Sequence, residues 1–165
     1  MTRPTFRPAL LLAVVASLAA AAPLVAAPGL SPAAAPAEGV NRVKSLHGFD
    51  DSITRLKADL AKKGIPVFAD IDQAGLGAGA GIAIPRSHLL LFGNPPLGVQ
   101  FLAANPLAGL DWPVRMLVVD DGAGQVWIAW TDFDWLRQRY ALTGRDAQLK
   151  MAAEVSASVA SSVTR

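Results

Sequence analysis

From Asn41 to Leu46 polar and apolar side chains alternate, the period of a strand with one buried face. Gly48 breaks that rhythm, and Asp50 or Asp51 then offers a side-chain oxygen to cap a helix. Along it Ile53, Leu56, Leu60 and Ala61 share one face, while Arg55, Lys57, Asp59 and Lys62 lie elsewhere. Lys62 and Lys63 suit the carboxyl-end partial charge, and Gly64 suits the left-handed residue that closes a helix. A two-residue period returns at Pro66–Asp72, with Val67, Ala69 and Ile71 on one side and Phe68, Asp70 and Asp72 on the other. The glycine- and alanine-rich run Gly75–Gly81 predicts a loop, Ile82–Ile84 a short strand, and His88–Phe92 a more fully apolar strand.

Past that strand the chain reads Gly93-Asn94-Pro95, then a short helix over Pro96–Ala104 with Leu97, Phe101 and Leu102 inward. Asn105-Pro106 stops it, and Leu107–Pro113 is an irregular link. Val114–Asp120 and Gln125–Thr131 are strands joined by the turn Asp121-Gly122-Ala123-Gly124. Asp132 or Thr131 caps a helix over Phe133–Ala141. A last helix, Asp146–Ser162, carries Met151, Ala152, Val155 and Val159 on one stripe. Strands that do not alternate with helices predict an α+β fold: an antiparallel sheet with helices packed on one face. The other face is then solvated, covered by another subunit, or the floor of a groove.

The amino-terminal segment changes the picture of charge. Arg3 and Arg7 precede an apolar run, Ala9–Ala22, broken only by Ser17, which reads as an export signal over residues 1–27. Cleavage is expected after Ala27, or as late as Ala37, and residues 28–40 form a flexible linker. The expected compartment is periplasmic or secreted, with the membrane met only through the signal segment before cleavage. Losing Arg3 and Arg7 leaves 13 basic against 13 acidic residues, so the excess charge belongs to the leader. A neutral mature chain argues against nucleic acid as a partner. With no cysteine, neither disulfides nor thiol redox chemistry is available. Residues 41–163 are the size of one domain with one core.

Several of these pieces fall in the order of the bacterial domain-of-unknown-function family 302, which the chain resembles over about residues 42–142. They are Phe49-Asp50-Asp51-Ser52-Ile53-Thr54-Arg55-Leu56, Lys63-Gly64-Ile65-Pro66-Val67-Phe68, Ile71-Asp72, Leu90-Leu91-Phe92-Gly93-Asn94-Pro95 and the paired late strands. The resemblance implies a sheet-and-helix domain of the TATA-binding-protein-like class, often dimeric, and no established reaction. Gln73 stands where many members carry histidine, and Ser87-His88 where many carry a threonine-acid pair.

The junction Phe92-Gly93-Asn94-Pro95 is the leading candidate site, with Asp72 and Gln73 as a second wall of one groove. Asn94 can accept amides of the following turn and Gly93 permits close approach, so the junction reads as an anion or carbonyl cradle or as a rigid turn. Asp70 and Asp72 project from one strand face and could share a proton. His88 beside either acid is the alternative, an acid-base site of a hydrolase or isomerase. His47 and His88 fit no metal-ligand spacing, and no cofactor or metal is expected. Gly75–Gly81 lacks the context of a dinucleotide loop and reads as a connector or a lid. Trp112, Trp127, Trp130 and Trp135 cluster in sequence, and Trp127 and Trp130 should face opposite sides of their strand. The expected function is an exported domain that binds a small molecule or a partner, a second copy included.

Overall fold

The computed structural model describes residues 37–165. The expected export signal and most of the expected linker lie outside the described residues. Five strands, β1 (Val40–Lys44), β2 (Val67–Asp72), β3 (Ser87–Phe92), β4 (Val114–Asp120) and β5 (Val126–Thr131), form one sheet in the order β1-β5-β4-β3-β2. Every neighbouring pair is antiparallel. The helices are α1 (Phe49–Lys62), α2 (Gln73–Gly79), α3 (Pro95–Ala104), α4 (Phe133–Arg139) and α5 (Asp146–Ala160). Short 3-10 turns follow α3 and α5.

Register decides which side chains share a face, because residues opposite one another across antiparallel strands point the same way. Leu90, Met116 and Trp130 align across three strands, as do Val118 and Ile128. They meet Ile53, Leu56 and Leu60 of α1 and Val159, Ala160 and Val163 at the carboxyl end, forming the main core. A second cluster joins Phe101 of α3, Phe133, Leu136 and Tyr140 of the α4 region, and Leu149 and Ala152 of α5. Val114 and Trp112 pack on its margin, which links it to the start of β4. The opposite face presents Ile71, Leu89, Leu91, Leu117 and Ala129, all half-buried, beside Arg42, Lys44 and Arg115. The expected antiparallel sheet with helices on one face is therefore what the chain forms.

Local expectations fail in instructive places. Gly75–Gly81 is largely helical rather than a loop, because Asp72 Oδ1 accepts the Gly75 amide at 2.8 Å and so caps α2. Ile82–Ile84 joins no strand; the Ile82 amide instead donates back to Gly77 O of α2 at 2.9 Å. At α1 the residue before the helix is Gly48, and neither aspartate caps through its side chain; Asp50 and Asp51 sit in the first turn, favourable against the helix dipole. Ala61 is exposed rather than inward. A shift of register around Phe68 breaks the alternation of β2, so Val67 turns to the core away from the side of Ala69 and Ile71. Gly39, expected within the linker, is already packed: an added Cβ there would lie 2.5 Å from Trp135.

Candidate apolar pocket beside the strand-to-helix junction

Phe92 ends β3 and Pro95 begins α3, so Gly93 and Asn94 make the whole turn between sheet and helix. Two neighbours hold it. The Gly93 amide donates to Pro66 O at 3.3 Å, and Trp112 lies flat enough against α3 that a Cβ on Gly98 would fall 1.8 Å from its Nε1. Only glycine at position 98 lets the indole approach so closely. Phe68, at the bulge of β2, packs at a tilt on Trp112 with ring centroids 6.1 Å apart. Ring against ring at that spacing adds to the burial that holds the edge together.

The junction does not cradle an anion. Pro95 and Pro96 have no amide hydrogen, and the next two amides, Leu97 and Gly98, both donate to Asn94 O at 3.1 and 2.9 Å. Asn94 is at the cap position, yet its side chain accepts no amide of the helix. A helix start attracts anions through free N–H groups, and here none of the first four is free. Of the two readings of the junction, this bonding fits the rigid turn, which builds the wall of a hollow rather than a ring of donors.

That hollow has a volume of about 350 Å³. Phe92, Leu97, Phe101, Trp112, Phe133 and Val155 supply an apolar lining, with Gly93 and Asn94 on one side. Its buried side is formed by Phe92 and by Ser156 of α5, which is 0 % exposed. Its mouth lies by Asn94 and by Met151, which is 53 % exposed although the helical stripe predicts it inward. Met151 therefore borders an opening between α5 and the junction instead of filling the core. Lys63 is the one lining residue with a charge, and its ammonium is bound by Asp59 one turn earlier. The sequence points to the junction but not to the α5 contribution; Met151, Val155 and Ser156 reach the hollow only because α5 packs back across the sheet.

Asp72 and Gln73 do not border it. Asp72 pairs with His88 at the start of β3, whereas Phe92 ends that strand, roughly 13 Å farther at about 3.3 Å per residue. The single expected groove is two separate regions. Asp72 is occupied as the cap of α2, and Gln73 Oε1 accepts the Ser87 hydroxyl at 2.6 Å. Asp70 does meet His88, with Nε2 to Oδ1 at 3.3 Å, and Lys57 of α1 donates to the other carboxylate oxygen at 2.7 Å. His88 stacks on Phe49 at 6.3 Å, and the Arg86 guanidinium covers the same Phe49 ring at 4.2 Å. Among the described residues no three metal-ligating side chains come together.

The tryptophans also separate. Trp130 is buried in the core, while Trp127 faces the other side, under the Arg42 guanidinium at 4.6 Å. Trp135 packs on Gly39 and beneath Arg139, and only Trp112 reaches the hollow. Behind it, Tyr140 donates to Asp111 and accepts from Arg139 at 3.0 Å. Burial, then the hydrogen bond to Asp111, pushes the phenol above its ordinary range, so it stays protonated.

The model of the domain of unknown function DUF302 matches residues 41–161. This chain belongs to the DUF302 family. A crystal structure of an uncharacterised conserved DUF302 protein from Bacillus stearothermophilus superposes with a TM-score of 0.62, covering 78 % of this chain and 98 % of that one at 20 % identity. That likeness shows the fold. The chain is also 36 % identical over 104 residues to proteins named fluoride-specific ion channel FluC 1 from Brucella suis and Brucella abortus. The match covers 63 % of this DUF302 chain but 41 % and 38 % of those proteins. The chain thus spans about two fifths of the length of the curated relatives it matches. No helix of the described residues is long and apolar enough to cross a membrane.

Proposed function

We propose that this DUF302 domain is an exported binding module that holds a small apolar molecule in the hollow between the β3–α3 junction and α5. The observation that carries this reading is the hollow itself, about 350 Å³ with a mostly apolar lining and a half-exposed methionine at its mouth. Small-molecule sites are ordinarily concave, mostly apolar hollows of about this size. The relatives named as channels hold a similar stretch within a longer chain, which supports reading it as a module beside other segments. The acid-base alternative at His88 gains less from the geometry, since Asp72 is committed to α2 and Asp70 to Lys57.

The deciding experiment is titration of the purified protein with the apolar dye N-phenyl-1-naphthylamine, alongside native mass spectrometry of protein taken from the periplasm. Saturable dye binding that is lost in Leu97→Trp, which fills the hollow from a half-buried wall position, supports the reading. Non-saturable binding, or binding that Leu97→Trp leaves intact, overturns it. Recovery of the protein only from the cytoplasm, with its leader attached, overturns the exported part.

A second reading concerns the helix-free face, where Ile71, Leu89, Leu91, Leu117 and Ala129 are half-buried and apolar. Five strands at about 4.8 Å and some six residues each give a face about 20 Å on a side, so two copies approach the ~1,000 Å² of a stable interface. We infer a homodimer through this face. Light scattering that gives one chain mass at micromolar concentration overturns it; a dimer that Leu117→Glu dissociates supports it.

A further inference from the structure

The lining of the hollow is not the same all round. Phe92, Phe101 and Phe133 are buried and offer it only carbon. The junction side carries Asn94, exposed and with no side-chain bond to the helix it begins, and the indole of Trp112. Gly93 and Gly98 both line the hollow, and the part of Trp112 nearest each is the edge Nε1–Cε2–Cζ2. Nε1 lies 3.4 Å from an added Cβ on Gly93 and 1.8 Å from one on Gly98. Among the described residues that N–H has no hydrogen-bond partner, whereas the Trp127 N–H donates to Asp121 Oδ2 at 3.4 Å. Nor is it sealed: the described side-chain atoms that are both shut off from solvent and unpartnered are Ser156 Oγ and Ser162 Oγ. Trp112 Nε1 is thus a reachable donor on an apolar wall. Trp130 and Trp135 make no N–H bond either, but neither residue lines the hollow.

An indole N–H donates and never accepts, so the group that answers it is an acceptor. Lys63, the one charged lining residue, is already neutralised by Asp59, and a carboxylate here would give up water with no free cation in return. An uncharged acceptor remains. A carbonyl is the cheapest to bury, because unlike a hydroxyl it brings no hydrogen that needs a partner of its own. A cavity of roughly 150 Å³ accommodates benzene, and this one is a little over twice that, room for about two fused rings. Resting on the pocket reading above, we infer that the hollow takes an uncharged molecule of about two fused rings bearing a carbonyl, and that this carbonyl accepts the Trp112 N–H. The rings lie against Phe92, Phe101 and Phe133, and the carbonyl faces the side of Gly93 and Gly98.

The test titrates the purified protein, labelled with nitrogen-15, with naphthalene, 2-acetonaphthone and 2-naphthoate. Wild type is expected to bind 2-acetonaphthone roughly five- to tenfold more tightly than naphthalene, the scale of one neutral hydrogen bond. The Trp112 indole N–H resonance, assigned by through-bond spectra, should move downfield with 2-acetonaphthone and not with naphthalene. Trp112→Phe keeps an aromatic wall without the donor, so its affinities for the two probes should converge. Equal affinities in wild type, or an indole resonance that 2-acetonaphthone does not move downfield, overturn the carbonyl assignment and leave the pocket standing. That resonance is read in wild type, so it decides the matter even where Trp112→Phe does not fold. Tightest binding of 2-naphthoate overturns the uncharged class. Failure of all three to bind overturns the pocket together with the inference.

Discussion

The two ends of β3 were expected to serve one groove and instead serve different purposes. At its start His88, Asp70 and Lys57 satisfy one another, Asp72 caps α2, and Gln73 holds Ser87. At its end Phe92 leads into a turn with no free amide, an apolar hollow and one unpartnered hydroxyl. The charged end, the alternative site in the sequence, has groups that already have partners, and a satisfied group has little left to offer a ligand. The apolar end, the leading candidate in the sequence, is where packing is incomplete. What sets the two ends apart is unfilled space at one and mutually satisfied titratable groups at the other.

The largest expected contrast comes from truncating Phe92, 1 % exposed and shared by core and hollow. Phe92→Ala should lower the unfolding free energy by about 3–5 kcal/mol in urea. A loss under ~1 kcal/mol would mean that this end is as loosely held as the surface. Next is Gly98→Ala, whose Cβ meets the Trp112 indole. Displacing the ring should cost about 1–3 kcal/mol and shift Trp112 emission toward that of an exposed indole. Unchanged stability and emission would show that Trp112 does not wall the hollow.

Asp121 extends the contrast to a carboxylate with a clear structural task. Burial of Asp121 favours the neutral acid, but amides of Ala123 and Gln125 and the Trp127 indole donate to the carboxylate and hold it below the usual range. A lowered value means that its contribution is present above the ordinary carboxylate pKa and lost as pH falls through the lowered one. Asp121→Asn should therefore destabilise the β4–β5 hairpin at neutral pH, with the gap from wild type closing at strongly acidic pH in denaturation curves. A gap independent of pH would assign the effect to shape alone. Smallest is the Lys57–Asp70 pair, both partners part-exposed. A double-mutant cycle should return about 0.5 kcal/mol or less. Coupling above ~1.5 kcal/mol would mark this end as a tighter network than its exposure suggests.

Legibility in the sequence followed the range of the interaction. The hairpin turn at Asp121–Gly124 and the closure of α1 at Gly64 appear where their residue types predict, because each depends on neighbours a few positions away. The β3–α3 turn was readable for the same reason, since glycine, asparagine and proline act on their own backbone. The helix of Gln73–Gly79 was hidden because one capping bond outweighs poor glycine propensity, and propensity is a weak guide for so short a stretch. The flip of Val67 was hidden because a bulge adds a residue without changing composition.

By itself the sequence determined the α+β class, the spans of the five strands and of α1, α3, α4 and α5 to within a few residues, and the position of the turn at residues 93–94. These rest on periodicity and local bonding, which are written residue by residue. Only the tertiary structure decided that Asp72 and Asn94 are far apart, that Trp112 needs Gly98, and that α5 brings Met151 and Ser156 to the junction. Those are distances between segments remote along the chain, set by sheet register and by how side-chain volumes fill the layer between sheet and helices. The hollow exists where that filling stops short.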